Sequence, residues 1–302
     1  MHSAATRTMA PEPISREAFE RLLAQLRPRL HRYCARLLGS AIDAEDVVQE
    51  TMLKAIEALR EPAAIVNFEA WLFRIAHNAA LDFLRRQLRQ RSLSGDEDIT
   101  MIADPIDEVY QRQAAAAGLH AFMRLSLAER SSVILMDVLG YSLEEIGNIT
   151  GSSIPAVKAA LHRGRQRLRA AATEPDTRSP PTLSAAERAQ LSAYVESFNA
   201  RDFDAIRNML AKDVRLELVN KTRMRGATEV SRYFSNYASV HDWYLRTGFV
   251  DRRPALLVCD QNDPERRPMY FILLGWTEGQ IGTIRDFRYA RYVAEAAEIV
   301  PG

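Results

Sequence analysis

The stretch YSLEEIGNITGSSIPAVKAALHRGRQRLR, residues 141 to 169, decides how the middle of this chain folds. Ser142 followed by Glu145 is a capping box: the serine side chain takes an early backbone N–H and the glutamate reaches back to the serine's own. A short helix therefore opens there, with Ile146 and Ile149 facing inward and Gly151 supplying the turn that ends it. A second helix follows with Ile154, Val157, Leu161 and Leu168 as its packing face. Pro155, Ala159, His162, Arg163 and Gln166 lie on the other side. Between Val157 and Arg169 the chain carries Lys158, Arg163, Arg165, Arg167 and Arg169 and no acid. Short helix, glycine turn and basic helix make a helix-turn-helix, which sets its second helix in a DNA major groove with arginines near phosphates. An ordinary helical hairpin with a solvated basic face shares this pattern.

The whole chain has 302 residues, 47% hydrophobic and 26% charged, which predicts a soluble globular protein of two or three domains. Forty Lys and Arg against 39 Asp and Glu leave a formal charge of +1, so any nucleic-acid footprint is local. Two distant cysteines, Cys34 and Cys259, exclude a disulfide scaffold and a zinc site and fit a reducing compartment, with the cytoplasm as the expected location. No apolar run reaches the roughly twenty residues of a membrane span, and residues 1–13 lack the apolar segment of a secretory signal.

Residues 15–91 read as helix throughout, with Phe19, Leu22, Leu23, Leu26, Leu30 and Leu37 at helical spacing. Residues 92–112 form a linker whose first twenty positions hold six acids and no Lys or Arg, a composition that suits a solvated spacer. Helix returns over 113–172. Residues 173–183 contain EPDTRSPPTL, a second linker stiffened by proline. The third domain, 184–300, reads as helices at 184–200, 202–211 and 226–239. Strands follow at 214–219, 255–260, 269–276 and 281–293, an α+β order with an antiparallel set of strands.

Two further constellations stand out in the first domain. In FEAWLFRIAHNAALDFLRRQLRQR, residues 68–91, the expected buried stripe is Phe68, Leu72, Ile75, Ala79 and Phe83. Trp71, Arg74, Asn78 and Arg85 then share a neighbouring face: a ring to stack on an unpaired base, an amide to meet its edge and cations for the backbone. Trp71 as plain core with solvated arginines is the competing reading. In DAEDVVQETMLKAIEAL, residues 43–59, Val47, Val48, Met52, Leu53 and Ile56 are assigned to packing, while Asp43, Glu45, Asp46, Gln49 and Glu50 make an acidic, amide-rich band. No His or Cys partner is nearby to make these carboxylates acid–base catalysts, so the band fits a docking surface for a protein.

DAEDVVQE, then WLFRIAHNAALDFLRR, then the acidic linker, then residues 126–169 together resemble the two domains of bacterial sigma-70-type initiation factors of the extracytoplasmic-function group. The resemblance covers about residues 15–172. It implies two all-α domains, the first docking on the clamp helices of RNA polymerase core and opening the minus-10 element, the second reading minus-35 promoter DNA. By motif position Asp43, Asp46, Gln49 and Glu50 are the polymerase-binding set, and the loop Glu61 to Asn67 with Trp71, Arg74, Asn78 and Arg85 the minus-10 set. Pro155, Lys158, Ala159, His162, Arg163 and Arg165 are the minus-35 set. The linker acquires the role of threading the polymerase's RNA exit path. The chain departs from the family where a Gly-Thr and a Ser-Arg pair are common: here stand Pro155, Ala156, Ala159 and Ala160. Ala159 has no donor for a base edge, which shifts weight to phosphate contacts.

The third domain resembles the SnoaL-like (NTF2-like, cystatin-type) α+β barrel fused to some of these factors, a fold that hosts enzymes and inert binding modules alike. Tyr270, Trp276 and the run His241, Asp242, Trp243 and Tyr244 either line a pocket for an unknown small ligand or are core and loop. The expectation is a regulatory domain in a non-enzymatic protein with no cofactor or metal, a small-molecule or enzymatic module being the alternative. A linker of about ten residues reaches some 30 Å and sustains an effective concentration of order millimolar, so the domain is expected to contact the other two and to hold the free protein inactive. Activation is the opposite sign that the same tether permits.

Overall fold

The computed structural model describes residues 16–58, 67–91, 118–173, 179–238 and 242–302. The linker assigned to 92–112, the segment 61–66, residues 174–178 of the proline-containing linker and His241 lie outside them.

The first domain comprises α1 (Arg16–Leu38), α2 (Ala41–Ala58) and α3 (Phe68–Arg91). Leu30, Tyr33, Cys34 and Leu37 of α1 enclose Val47 and Val48 of α2 and Leu72, Phe73 and Ala76 of α3, all nearly or wholly buried. The buried stripe of α3 is rotated from the expected one. Phe73, Ala76 and Ala80 are in the core with Leu72 and Ala79, while Phe68, Ile75 and Phe83 are only half-buried.

The second domain contains α4 (Leu119–Phe122), α5 (Leu127–Val133) running on as a π turn (Ile134–Val138), α6 (Leu143–Thr150) and α7 (Ile154–Thr173). It packs directly on the first. The Arg130 guanidinium donates to the Leu37 carbonyl at 2.5 Å, an acceptor at the end of α1, and to the Leu125 carbonyl between α4 and α5 at 3.0 Å. Tyr141 donates to Glu69, which also pairs with Arg29 at 2.6 Å. Gly39, at φ +75°, turns the chain from α1 to α2, and a Cβ there would lie 2.4 Å from Met123 Sδ of the second domain. The positive φ is what requires glycine, since the flexible Met123 side chain has room to give way.

The third domain holds α8 (Ala185–Asn199), α9 (Phe203–Asn208), β1 (Leu210–Leu218), β2 (Thr222–Arg225), α10 (Ala227–Ala238), β3 (Trp243–Val250), β4 (Arg253–Asp260), β5 (Pro268–Thr277), β6 (Gln280–Asp286), α11 (Arg291–Ala296) and β7 (Ile299–Pro301). The sheet runs β2-β1-β6-β5-β4-β3-β7. It is mixed rather than antiparallel throughout, because β1 lies parallel to β6. The segment expected as one strand over 281–293 divides: β6 stops at Asp286 and α11 follows. The helix expected over 202–211 ends at Asn208, since Leu210, Val214, Leu216 and Leu218 are drawn into the sheet's core face.

One face of this sheet packs under α8, α9 and α10 through Leu216, Leu256, Val258, Ile272 and Ile284. The other face continues into the core of the first domain: Ala255, Leu257, Phe271, Phe287 and Val293 belong to the same apolar cluster as Leu30, Tyr33 and Val48. The β3–β4 connection is a two-residue turn, Val250 pairing with Arg253, and both turn residues have positive φ: Asp251 at +47° and Arg252 at +65°. Left-handed backbone costs an L-residue about 1–2 kcal/mol, and such turns normally carry Asn and Gly.

Candidate functional site

The helix-turn-helix is built as its sequence predicts. Glu145 accepts from the Ser142 amide at 2.9 Å, the Ser142 hydroxyl accepts from the Glu145 amide at 3.3 Å, and Gly151 closes α6 at φ +70°. Ile146 and Ile149 are buried. On α7, Pro155, Lys158 and Ala159 are exposed and His162 and Arg163 half-buried, a surface confined to the first half of the helix. Two residues stand elsewhere than expected. Ile154, assigned to packing, is 43% exposed, because it precedes the part of α7 that meets α5. Arg165, assigned to DNA, is buried and forms two hydrogen bonds to Asp137, at 2.8 and 2.5 Å. Without Arg165 the Asp137 carboxylate would be an uncompensated buried charge. Arg163 at 3.1 Å and Arg167 at 2.9 Å likewise share the buried Glu129.

On α3, Arg74, Asn78 and Arg85 lie exposed along one side with Trp71 half-buried between them and the core, its ring 5.5 Å from that of Phe68. Trp71 is therefore neither plain core nor fully exposed. Asn67 caps the helix: its side-chain oxygen accepts from the Ala70 amide at 3.0 Å.

The acidic band of α2 is not free. Asp43 accepts from Arg253 at 2.7 and 2.8 Å, Asp46 from Arg285 at 2.6 Å, and Gln49 from Arg223 at 3.2 Å. The three arginines come from β4, β6 and β2 of the third domain. Glu217 of β1 bridges Arg223 and Arg285, at 2.7 and 3.1 Å. Burial there pushes its carboxyl upward, but these two guanidiniums more than offset it and hold the pKa below the usual range. Burial under the same sheet raises the Asp46 carboxyl despite Arg285. Glu50 stays outside this contact, paired with Lys54 at 2.7 Å and Arg86 at 3.1 Å, and both lower its pKa, Lys54 more.

Glu45 does not belong to the surface band. It is fully buried, bonded to Arg27 and accepting from the Tyr292 hydroxyl of α11 at 2.8 Å. Asp251, from the strained turn, accepts from the amides of Ala41 and Ile42 at 2.6 and 3.3 Å, so the third domain supplies a cap to the N-terminus of α2. Beside this contact Leu53 and Ile56, assigned to packing, are 62% and 44% exposed. They border grooves lined by Arg27, Met52 and Asn220.

Inside the third domain Tyr233 and Tyr237 donate to Asp286 Oδ2 at 2.6 and 2.9 Å, and the Arg288 amide donates to Oδ1 at 2.8 Å. Burial raises the Asp286 carboxyl. Of the residues considered for a pocket, Tyr270 is fully buried beside Tyr237. Trp243 packs on Tyr237, its ring 4.6 Å away, beneath the Arg288 guanidinium. Tyr244 and Trp276 are half-buried and Asp242 exposed. Tyr270, Trp243 and Trp276 belong to the apolar cluster under α8, α9 and α10, so these three are core.

A helix-turn-helix domain joined to a three-helix domain with an acid-faced α2 and an aromatic, amide and guanidinium row on α3 is the arrangement of the sigma-70 class, and the comparisons agree. Residues 22–90 match Sigma-70 region 2 and residues 119–168 match Sigma-70, region 4. Over 158 residues the chain is 36% identical to the ECF RNA polymerase sigma factor SigE of Mycolicibacterium smegmatis, covering 50% of this chain and 60% of that protein. Over 155 residues it is 34% identical to the RNA polymerase sigma factor CarQ of Myxococcus xanthus, covering 51% of this chain and 89% of that protein. Among solved structures, an NTF-2 like protein of unknown function from Burkholderia xenovorans covers 33% of this chain and 80% of its own, at 15% identity and a TM-score of 0.28. The chain belongs to the extracytoplasmic-function sigma-70 family. Among the described residues no helix is long and apolar enough to cross a membrane.

Proposed function

We propose that this protein is a promoter-specificity factor that directs RNA polymerase core to minus-35 and minus-10 elements, and that its third domain restrains it. The observation that carries this reading is the row Asp43, Asp46 and Gln49 on α2. These are the positions at which the family docks polymerase, and each is bonded to an arginine of the third domain. The sheet sits where the polymerase's helices would sit, so the two compete for one acidic face.

In this reading Asn67, Trp71, Arg74, Asn78 and Arg85 hold the opened minus-10 strand. Asn78 meets the edge of a base that has left the stack, and the guanidiniums meet phosphates. Pro155, Lys158, Ala159 and His162 enter the minus-35 groove. Arg163 adds charge at its margin, and Arg165 acts only by holding α7 to Asp137. With no donor at Ala159, DNA binding at this element leans on the backbone. The third domain acts through contact rather than catalysis. The test is run-off transcription and core binding by the full chain against a chain ending before residue 183: the shorter chain binds core more tightly. Equal binding removes the restraint, and no core binding by either removes the sigma reading.

A further inference from the structure

We infer that the Asp251–Arg252 turn is the lock of the closed form, holding α2 by a helix cap supplied from another domain; this rests on the restraint proposed above. Three adjacent residues each hold a different partner outside the third domain's own sheet. Asp251 accepts the Ala41 and Ile42 amides at the start of α2, Arg252 donates to the Ser179 carbonyl of the linker at 2.9 Å, and Arg253 pairs with Asp43. The turn thus grips the helix by its end, its side and the strap that tethers the domain.

Two features mark the turn as more than a connection. Asp251 and Arg252 both stand at positive φ; Asp is at home in the first place of such a turn, whereas Arg252 occupies the second, where a hairpin is better served by glycine. Strain of this kind persists where something other than local folding selects the residues. The second feature is the completeness of the cap. Ser40 Oγ already accepts the Asp43 amide, and Asp251 takes the two amides before it. When the sheet leaves α2, those two donors lose their acceptor and the turn keeps its strain. The cap is therefore present only in the closed form. In the open form Asp251 keeps a contact of its own domain, Oδ1 accepting from the Glu298 amide at 3.0 Å, and the left-handed backbone at Arg252 remains as a burden.

The two roles have opposite responses to one change, which makes the inference testable. Replacing Asp251→Gly together with Arg252→Gly in the full chain relieves the left-handed backbone and removes the cap. The third domain loses the Glu298 contact and the backbone strain together, so it keeps its melting transition near that of wild type, while the molecule opens. The radius of gyration from solution scattering rises, and affinity for core polymerase increases about three- to thirty-fold, the factor that losing a helix cap represents. Asp251→Asn, which keeps an acceptor at the same place, stays close to wild type in both. Unchanged scattering in the double variant overturns the lock, as does opening accompanied by loss of the third domain's melting transition, since the turn would then be a structural element only. Opening without any gain in polymerase affinity leaves the lock standing and defeats the restraint on which it rests.

Discussion

Asp46 and Arg285 are 239 residues apart in the chain and 2.6 Å apart in the fold. Asp46 comes from α2, the helix proposed to face polymerase, and Arg285 from β6, next to the buried Asp286. Neighbouring strand residues point to opposite faces, so Arg285 reaches outward to α2 while Asp286 turns into the cluster of Tyr233 and Tyr237.

The pair is expected to show coupling in a double-mutant cycle. Asp46→Ala and Arg285→Ala each loosen the closed form, and together they cost less than their sum. With Asp46 nearly half exposed the coupling is small, roughly 0.5–1 kcal/mol in urea unfolding of the full chain, and it shrinks in high salt. Strict additivity would show that the two side chains merely lie near each other.

In the proposed reading the acid row serves polymerase as well as the third domain. Asp46→Arg with Glu50→Arg places cations in the docking band and is expected to abolish pull-down by core polymerase even though the closed form is loosened. Retained pull-down by that double variant would remove the docking assignment.

Lys158 and Arg165 separate DNA binding from stability. Lys158, exposed on α7, is expected on replacement by Ala to leave the melting temperature unchanged, weaken promoter binding and lower the salt slope by about one. Arg165→Ala leaves Asp137 buried and unpaired and is expected to destabilise the second domain by about 3–5 kcal/mol. Comparison of binding and melting curves for the two variants checks both outcomes, and a stable Arg165→Ala protein with weakened DNA binding would reverse the assignment.

Asn78→Ala is expected to impair promoter opening more than duplex binding, since its amide is used only after a base leaves the stack. Permanganate reactivity of the bubble should fall while gel-shift affinity on duplex holds. Wild-type reactivity would make Asn78 a surface residue without a role.

Acid should unfold the first domain earlier than its surface charges suggest. Burial holds the His31 and His77 imidazoles at about 4, so between pH 4 and 6.5 the unfolded chain binds protons that the folded chain does not. Stability is full above 6.5 and is lost as pH falls toward 4, by on the order of 3 kcal/mol per histidine. His77→Gln, keeping a partner for the Tyr33 hydroxyl that meets Nδ1 at 2.7 Å, should flatten the pH dependence of melting. An unchanged slope would mean that His77 is not the group responsible.

Much of this was legible in residue types and periods. The Ser142 and Glu145 capping box, the Gly151 turn and the acids of α2 are local signals, set by hydrogen bonds within three or four residues. Arg165 was legible too and was misread: it stands four residues after Leu161 and eight after Val157, on the same buried face, and its charge concealed that placement. Leu53 and Ile56 were misread in the opposite sense, because apolar residues in helical register are presumed to pack. The partners of Asp43, Asp46 and Gln49 have no local signal, since each arginine comes from a different strand of a distant domain. The strand Trp243–Val250 was missed because its burial does not alternate, both of its faces being covered toward its end.

Equilibrium binding of core polymerase to the full-length chain carrying Arg223→Ala, Arg253→Ala and Arg285→Ala, measured beside wild type at one salt concentration, addresses the central claim most directly. The three changes leave Asp43, Asp46 and Gln49 intact and remove what covers them, so affinity should rise, by about tenfold or more if the closed form dominates the free protein. Affinity equal to or weaker than that of wild type, with the third domain still folded, would contradict the account.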